Sequence, residues 1–164
     1  MTVVIAAVPY IDTTEPILAP ALLKSVLESK GHSTMALDLN IEVINLIKDK
    51  SNRDKLLDFF FSQNIPNDIT TDLIEIIDYC ADRILSCQPR IIALSLLCYQ
   101  CQIFTRWLCA RLKQKQQDIP IVIGGSGIKN FIADSNDTFY KQLQQLNLID
   151  DYILGDGEES IVAY

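Results

Sequence analysis

Residues 90–97 read RIIALSLL and residues 120–127 read PIVIGGSG, and these two stretches decide the fold. Each begins with a short apolar run, which is typical of a strand buried on both faces of a parallel sheet. The glycines after the second run favour a tight turn from strand to helix. Together the two stretches indicate consecutive βα units of an α/β domain.

Before and after these two stretches, further Val- and Ile-rich runs alternate with segments of helical period. Five strands are predicted, at residues 2–8, 34–39, 90–96, 120–123 and 152–154. The helix after the first strand places Leu18, Leu22, Val26 and Leu27 on one apolar face and stops at Gly31. We predict a Rossmann-like (flavodoxin-like) five-stranded parallel sheet in the order 2-1-3-4-5, in a three-layer αβα arrangement.

The segment between the second and third strands is longer than a crossover needs. Residues 41–88 are predicted to form a helical insertion of three pieces, the clearest of them from about Asp68 to Cys87. A later helix, near Thr138 to Leu146, has Asp137 as its predicted N-cap. With 164 residues, the chain is expected to form one domain over residues 1–164.

Composition narrows the class of protein. The formal net charge is -7 and no block of Lys and Arg stands out, so a nucleic-acid partner is not expected. The apolar N-terminus lacks the basic flank and cleavage site of a signal peptide and is too short to span a bilayer. We expect a cytoplasmic protein without a membrane partner, whose five cysteines form no disulfide framework.

A ligand of such a sheet binds beyond the carboxyl ends of the strands. The loops at that edge carry Pro9 to Glu15, Asp38 to Asn40, Ser95 to Gln100, Gly124 to Lys129 and Gly155 to Ser160. Neither the Gly-x-Gly-x-x-Gly fingerprint after the first strand nor a phosphate-binding Gly-x-x-x-x-Gly-Lys-Ser/Thr is present. The Gly-rich turn by itself is equally typical of a tight strand-to-helix connection.

One spaced pattern is more specific. Ser95-x-Leu97 ends the third strand, residues 98–123 follow, and then comes Gly124-Gly125. This pattern resembles that of cobalamin-binding domains of the methionine synthase and mutase type. The resemblance implies that the nucleotide tail of the cofactor threads between the sheet and its helices. It also implies that Ser95 bonds to the buried base while the two glycines leave the tail room to pass.

Those relatives also carry Asp-x-His-x-x-Gly after the first strand, and its histidine is the lower cobalt ligand. The corresponding loop here has no histidine, and His32 falls at the opposite edge of the sheet. In this respect the chain looks like the N-terminal cobalamin domains of radical S-adenosylmethionine (SAM) enzymes, which commonly lack that histidine. Its matching elements are Pro9, Gly31-His32, Asp38-Leu39-Asn40, Ser95, Gly124-Gly125-Ser126-Gly127 and Gly155-Asp156-Gly157-Glu158.

The resemblance implies a set of cofactor-binding residues. Ser95 and Leu97 contact the tail, Gly124 to Gly127 line its passage, and Gly155 to Glu158 close the pocket. Pro9 to Asp12 and Tyr99 to Gln100 lie under or beside the corrin ring. The full predicted set is Pro9, Tyr10, Asp12, Asp38, Asn40, Ser95, Leu97, Tyr99, Gln100, Gly124, Gly125, Ser126, Gly127, Gly155, Gly157 and Glu158.

The chain ends at Tyr164, shortly after a predicted helix start at Glu158, so we expect it to be the front part of a longer enzyme. The resemblance implies a downstream radical SAM domain that carries the motif Cys-x-x-x-Cys-x-x-Cys and binds a [4Fe-4S] cluster and S-adenosylmethionine. No such cysteine triplet exists in this chain. The implied reaction of the whole enzyme is methyl transfer or related radical chemistry, with no catalytic residue in this domain.

Two alternatives remain open. Cys98 and Cys101 follow a strand and open a helix, which is the context of a thioredoxin-like redox pair. A flavodoxin-like or phospho-receiver signalling module would share the fold. A receiver requires a phospho-acceptor Asp at the end of the third strand, where this sequence has Leu94-Ser95-Leu96.

Overall fold

The computed structural model describes residues 2–10, 17–47, 50–62, 70–129 and 138–163. Its centre is a five-stranded sheet in the order 2-1-3-4-5, and every neighbouring pair of strands is parallel. The strands are β1 Thr2–Ala7, β2 Ser33–Asp38, β3 Ile91–Ser95, β4 Ile121–Gly124 and β5 Asp151–Ile153. The predicted α/β class and strand order are confirmed.

Seven α-helices are described around the sheet. They are α1 Ala19–Ser29, α2 Leu39–Leu46, α3 Lys50–Ser62, α4 Thr70–Leu85, α5 Cys101–Lys115, α6 Phe139–Gln145 and α7 Gly157–Ala163, and a short 3-10 helix covers Ser126–Ile128. Within the ranges that the structure describes, no helix has the length and apolar character needed to cross a bilayer.

The larger core lies on the sheet face that α4, α5 and α6 cover. Val4, Leu94 and Ile123 of three neighbouring strands point to this face. They pack with side chains such as Phe104 of α5 and Leu143 of α6, all of them almost fully buried. Most of the hydrophobic stabilisation of the fold comes from this side, because it holds most of the buried apolar area.

The opposite face is covered more sparsely, by α1 and α7. Its core consists of Val3, Ile5 and Ala93 of the sheet with Leu27 of α1, and Ile161 of α7 packs against them. Few large side chains meet here. This face is therefore the one with room for a further group.

The apolar stripe of α1 differs from the sequence prediction. Leu27 is buried as expected, but Leu18 is 71% exposed and Leu22 is 50% exposed. Leu23 and Leu27 pack against the sheet core, whereas Ala19 and Leu22 line a cavity at the carboxyl ends of the strands. Periodicity identifies an apolar face correctly, but not whether protein or a ligand covers it.

The three helical pieces predicted after β2 are α2, α3 and α4. Helix α4 is more than an insertion: Leu73, Cys80 and Ile84 are buried in the main core, so α4 serves as the crossover helix between β2 and β3. Helices α2 and α3 are the additional part. The proposed N-cap Asp137 lies outside the described residues, and Thr138 occupies the N-cap position of α6 without a side-chain capping bond.

Candidate functional site

A channel of small side chains runs along the sheet face that α1 and α7 cover. Ala93 and Ser95 of β3 share this face, because successive side chains of a strand alternate between faces. The strand register sets Ser95 beside Gly124 of β4 and Ala93 beside Val122. Three of these four side chains are small, so the helices above do not meet the sheet at its carboxyl edge.

The space above these residues is a cavity of about 180 Å³. Such a volume is below the roughly 300–1,000 Å³ of sites that enclose a whole drug-sized ligand. The cavity therefore suits one arm of a larger molecule. Its lining residues are Ile5, Ala19, Leu22, Leu23, Ala93, Leu94, Ser95, Val122, Ile123, Gly124, Gly125, Ile153, Gly155, Asp156, Gly157, Glu158 and Ile161.

Ser95 supplies a polar group inside this mainly apolar cavity. The residue is only 9% exposed, and no described residue forms a hydrogen bond with its Oγ. Its main chain is held in place, because the Ser95 carbonyl accepts a bond from the Val8 amide at 3.0 Å. A hydroxyl that lines a mainly apolar cavity without a described protein partner is a candidate hydrogen-bonding contact for a ligand.

The two adjacent glycines of the turn differ in whether the fold requires a glycine at that position. A Cβ at Gly124 would lie 3.7 Å from the Ile153 Cβ, an ordinary contact, so the fold itself has room for a Cβ there. At Gly125, φ is +96° and a Cβ would collide with the Leu96 carbonyl oxygen. Gly125 is thus required by the turn, whereas Gly124 leaves open the space that a ligand would enter.

The rest of the Gly-rich turn is braced against the loop after β3. The Gly127 amide donates to the Leu96 carbonyl at 3.0 Å, and the Ser126 hydroxyl donates to the Leu97 carbonyl. Gln102 Nε2 donates to the Gly127 carbonyl at 2.8 Å. Ser126 and Gly127 are not part of the cavity lining, so the structure assigns them a role in joining two loops.

The connection after β5 forms the side of the cavity that faces α1. Gly155 adopts φ of +88°, and Gly155, Asp156, Gly157 and Glu158 all line the cavity. A Cβ at Gly157 would lie 3.4 Å from Leu23 Cδ2, so α7 starts in close contact with α1. This arrangement brings the predicted closing element together with Ser95 and Gly124.

Asp38, Asn40 and Tyr10 lie at the carboxyl edge of β1 and β2 but do not line the cavity. Asp38 Oδ1 accepts from the Ile41 amide at 3.1 Å and caps α2. Asn40 is buried, and its Oδ1 accepts from the Tyr10 amide at 3.0 Å. Pro9 is buried beside them, and Asp12 lies outside the described residues.

We predict that Asn40→Ala destabilises the fold by about 1–3 kcal/mol, because the part-buried Tyr10 amide loses its acceptor. Urea unfolding followed by circular dichroism measures the change. The control Gln145→Ala removes an amide from an exposed position and should alter stability by less than about 0.5 kcal/mol. Equal stability of the two variants would show that the Asn40 bond contributes nothing.

Leu97, Tyr99 and Gln100 lie on the loop between β3 and α5, outside the cavity lining. Leu97 is 45% exposed and Gln100 is the N-cap residue of α5. Gln100 Oε1 is buried without a hydrogen-bond partner among the described residues. This loop stands beside the mouth of the cavity, because Ser95 ends the preceding strand.

The described residues contain no group of three or more His, Cys, Asp or Glu side chains placed to hold a metal ion. His32 directly precedes β2, at the amino end of a strand whose carboxyl end is Asp38. In a parallel sheet this is the edge opposite to Ser95 and Gly124. His32 is therefore remote from the cavity, as predicted.

Sequence reasoning missed most of the apolar lining. Leu22 was assigned to the core stripe of α1, and Ile161 lies in a helix of which only the start was predicted. Ala93 and Val122 carried a usable signal, since they stand two residues before Ser95 and Gly124 on the same sheet face.

No protein-family model and no curated protein matches this chain. Solved structures do. The radical S-adenosylmethionine methyltransferase TsrM from Kitasatospora setae, with tryptophan substrate and a SAM analogue bound, aligns with a TM-score of 0.60 and 16% sequence identity over 99% of this chain. A second TsrM structure, with cobalamin and a [4Fe-4S] cluster bound, aligns with a TM-score of 0.55 at 16% identity, again over 99% of this chain.

The alignments cover 24% and 23% of the TsrM chains, so this chain spans about a quarter of their length. At 16% identity, the likeness shows a shared fold. What the site does is a separate question, because one fold serves many functions.

Proposed function

We propose that this chain is a cobalamin-binding domain and that the cavity beside Ser95 and Gly124 receives the nucleotide tail of the cofactor. The observation that carries the proposal is the channel of small side chains between the sheet and helices α1 and α7. Its volume suits one arm of a ligand, and cobalamin is a large corrin ring with one long arm. The fold shared with a cobalamin-bound TsrM structure supports the same assignment.

The residues of the channel match the chemistry of that arm. The apolar walls from Leu22, Val122 and Ile161 would cover the flat faces of the benzimidazole base. The Ser95 hydroxyl would donate to its ring nitrogen, and Gly124 leaves the base space to lie against the sheet. The corrin ring would remain outside, against Pro9, Tyr10, Tyr99 and Gln100.

We propose further that the cobalt is held without a protein imidazole. His32 is the single histidine of the sequence and stands at the far edge of the sheet. Bound cobalamin supplies a cobalt ion that can carry a methyl group. The role of this domain is to bind the cofactor, to bury its tail and to orient the corrin.

The parent protein in this proposal is a longer radical SAM enzyme, with methyl transfer as its reaction. A downstream domain of the same chain would hold the [4Fe-4S] cluster and S-adenosylmethionine, and it would contact the corrin edge of this domain. The support is that this chain aligns with about a quarter of a radical SAM methyltransferase.

The proposal is tested by comparing cobalamin with cobinamide, a corrin that lacks the nucleotide tail. Fluorescence quenching of Trp107 or an absorbance titration gives both dissociation constants. We expect cobalamin to bind on the order of a hundredfold more tightly, since burial of the base alone contributes about 2–3 kcal/mol. Equal affinities, or no binding of cobalamin, would refute the assignment of the cavity.

Removal of the Ser95 hydroxyl should weaken cobalamin binding about three- to tenfold, which corresponds to the net free energy of one hydrogen bond. Ser95→Ala should leave stability nearly unchanged, because no described residue bonds to this Oγ. Cobinamide affinity should also stay the same. The matched control Ser86→Ala removes an exposed hydroxyl at the end of α4. If Ser95→Ala and Ser86→Ala bind cobalamin equally well, Ser95 does not contact the tail.

A further inference from the structure

Two cysteines face each other at the start of α5. Cys98 Sγ and Cys101 Sγ lie 3.8 Å apart, close enough that a small rotation of the side chains joins them. The Cys101 amide donates to the Cys98 carbonyl at 3.1 Å, so one turn of backbone fixes their spacing. The pair is preorganised for a bond between the two sulfur atoms.

The two thiols have different surroundings. Cys98 is half-buried, whereas Cys101 is fully buried with its Sγ 3.9 Å from the Val8 carbonyl oxygen. The hydrogen bond from Cys101 and the amides of Gln100 and Cys101 lower the pKa of Cys98 to about 7. The bond to Cys98 and burial raise the pKa of Cys101. Cys98 is thus the accessible nucleophile and Cys101 the protected partner.

The other three cysteines provide an internal contrast. Cys80 and Cys109 are buried in the apolar core, and burial raises the pKa of each to about 12. Cys87 is half-buried at the end of α4, where its sulfur contacts the Arg83 side chain. The structure brings none of these three into a described sulfur–sulfur contact. Among the five cysteines, only the pair at α5 combines sulfur–sulfur proximity with one thiol that is half-buried rather than buried.

The pair also touches the loop that borders the cavity. A Cβ at Gly127 would collide with the Cys98 carbonyl, so the backbones of the two loops are in direct contact. The Leu96 and Leu97 carbonyls, just before Cys98, accept bonds from Gly127 and Ser126. A change in the sulfur bonding at Cys98 therefore acts on the segment that braces the Gly-rich turn.

We propose that Cys98 and Cys101 form a reversible dithiol–disulfide pair that reacts with low-molecular-weight disulfides. The Cys98 thiolate attacks one sulfur of the disulfide, whose S–S bond breaks and releases one thiolate that takes up a proton. Cys101 then loses its proton and attacks the Cys98 sulfur, which expels the second thiol. The pair gives up two electrons and two protons, and the small disulfide becomes two thiols. Reduction by a dithiol reverses both steps.

This inference does not rest on cobalamin binding, so it is tested on the chain without cofactor. The protein is equilibrated without oxygen in a series of reduced and oxidised glutathione, quenched with acid and alkylated, and its peptides are identified by mass spectrometry. We expect a Cys98–Cys101 disulfide at oxidising ratios, while Cys80, Cys87 and Cys109 stay alkylated. Alkylation of both Cys98 and Cys101 across the whole series would overturn the proposal.

Single substitutions separate the two steps. Cys101→Ser should trap Cys98 as a mixed disulfide with glutathione, and Cys98→Ser should leave Cys101 as a free thiol. The control Cys87→Ser changes a half-buried cysteine outside the pair and should form the internal disulfide normally. Glutathione adducts on Cys101 rather than Cys98 would contradict the assigned order of attack.

The pH profile of alkylation gives an independent readout. The rate at Cys98 in the reduced protein should reach half of its plateau near pH 7, where the thiolate fraction is one half. At pH 7 it should exceed the rate of an unperturbed thiol about fivefold, since the larger thiolate fraction outweighs the lower nucleophilicity of a more acidic thiol. A rate that still rises steeply past pH 9 would contradict the role of Cys98.

Discussion

Gly124→Phe is expected to weaken cobalamin binding about a hundredfold or more while the fold stays intact. A side chain at this position would project into the channel beside Ser95 and take the place of the buried base. On the order of 100 Å² of apolar contact would be lost, worth about 2–3 kcal/mol. The protein itself tolerates a Cβ there, whose nearest neighbours at Ile153 are 3.7 Å away.

An absorbance titration with hydroxocobalamin measures the affinity, and far-UV circular dichroism checks the fold. The matched control Ala110→Phe adds the same side chain at an exposed position of α5, on the other side of the sheet. It should bind cobalamin like the unmodified chain. Wild-type affinity in Gly124→Phe would refute the idea that the tail enters this channel.

Gly125→Ala is expected to act differently, by lowering the free energy of unfolding by about 3 kcal/mol. Two costs combine at this position. Gly125 has φ of +96° and ψ of 172°, a backbone region essentially restricted to glycine, and a residue with a Cβ pays roughly 1–3 kcal/mol to adopt it. In addition, the Cβ would collide with the Leu96 carbonyl, so the turn and the end of β3 must move apart.

The control Gly31→Ala places a Cβ at a positive φ without any close contact. Gly31 has φ of +85° but a Cβ there would meet nothing within 4 Å, so its loss should be about 1–2 kcal/mol. Urea unfolding of the three proteins gives the difference directly. If Gly125→Ala were no less stable than Gly31→Ala, the close approach of Leu96 would be unimportant for the fold.

The architecture could be predicted because its signal is local and repeated. Buried parallel strands appear as short runs such as 91–95 and 121–124, and the residues between them carry helical periodicity. Even the position of the cavity followed in outline, since polar and glycine residues collect where parallel strands end. Ser95, Gly124 and the turn after β5 do come together at one cavity.

What the sequence could not reveal depends on contacts between distant segments. Asp38 and Asn40 stood at the correct edge, yet Asp38 caps α2 and Asn40 holds the Tyr10 amide. Composition cannot distinguish a carboxamide that bonds to a backbone from one that binds a ligand. Similarly, the apolar face of α1 gave no sign that Leu22 lines a cavity rather than the core.

In the Gly-rich turn too, the sequence pattern did not reveal which of the four residues line the cavity. The motif 124–127 suggested one continuous lining, but only Gly124 and Gly125 face the cavity. Gly127 is buried against the Cys98 carbonyl. The Ser126 hydroxyl donates to the Leu97 carbonyl, a contact between residues 29 positions apart in the sequence. Such packing is set by the register of β3 and β4, which single-sequence patterns do not specify.

Retention of hydroxocobalamin tests whether this chain binds cobalamin without a histidine ligand. The chain and its His32→Ala variant are mixed with an excess of the cofactor, separated by gel filtration, and measured by visible absorbance. We expect about one cobalamin per chain, with the same shifted spectrum for both proteins. A colourless protein would contradict the claim, and a spectrum that changes in His32→Ala would contradict the absence of a histidine ligand.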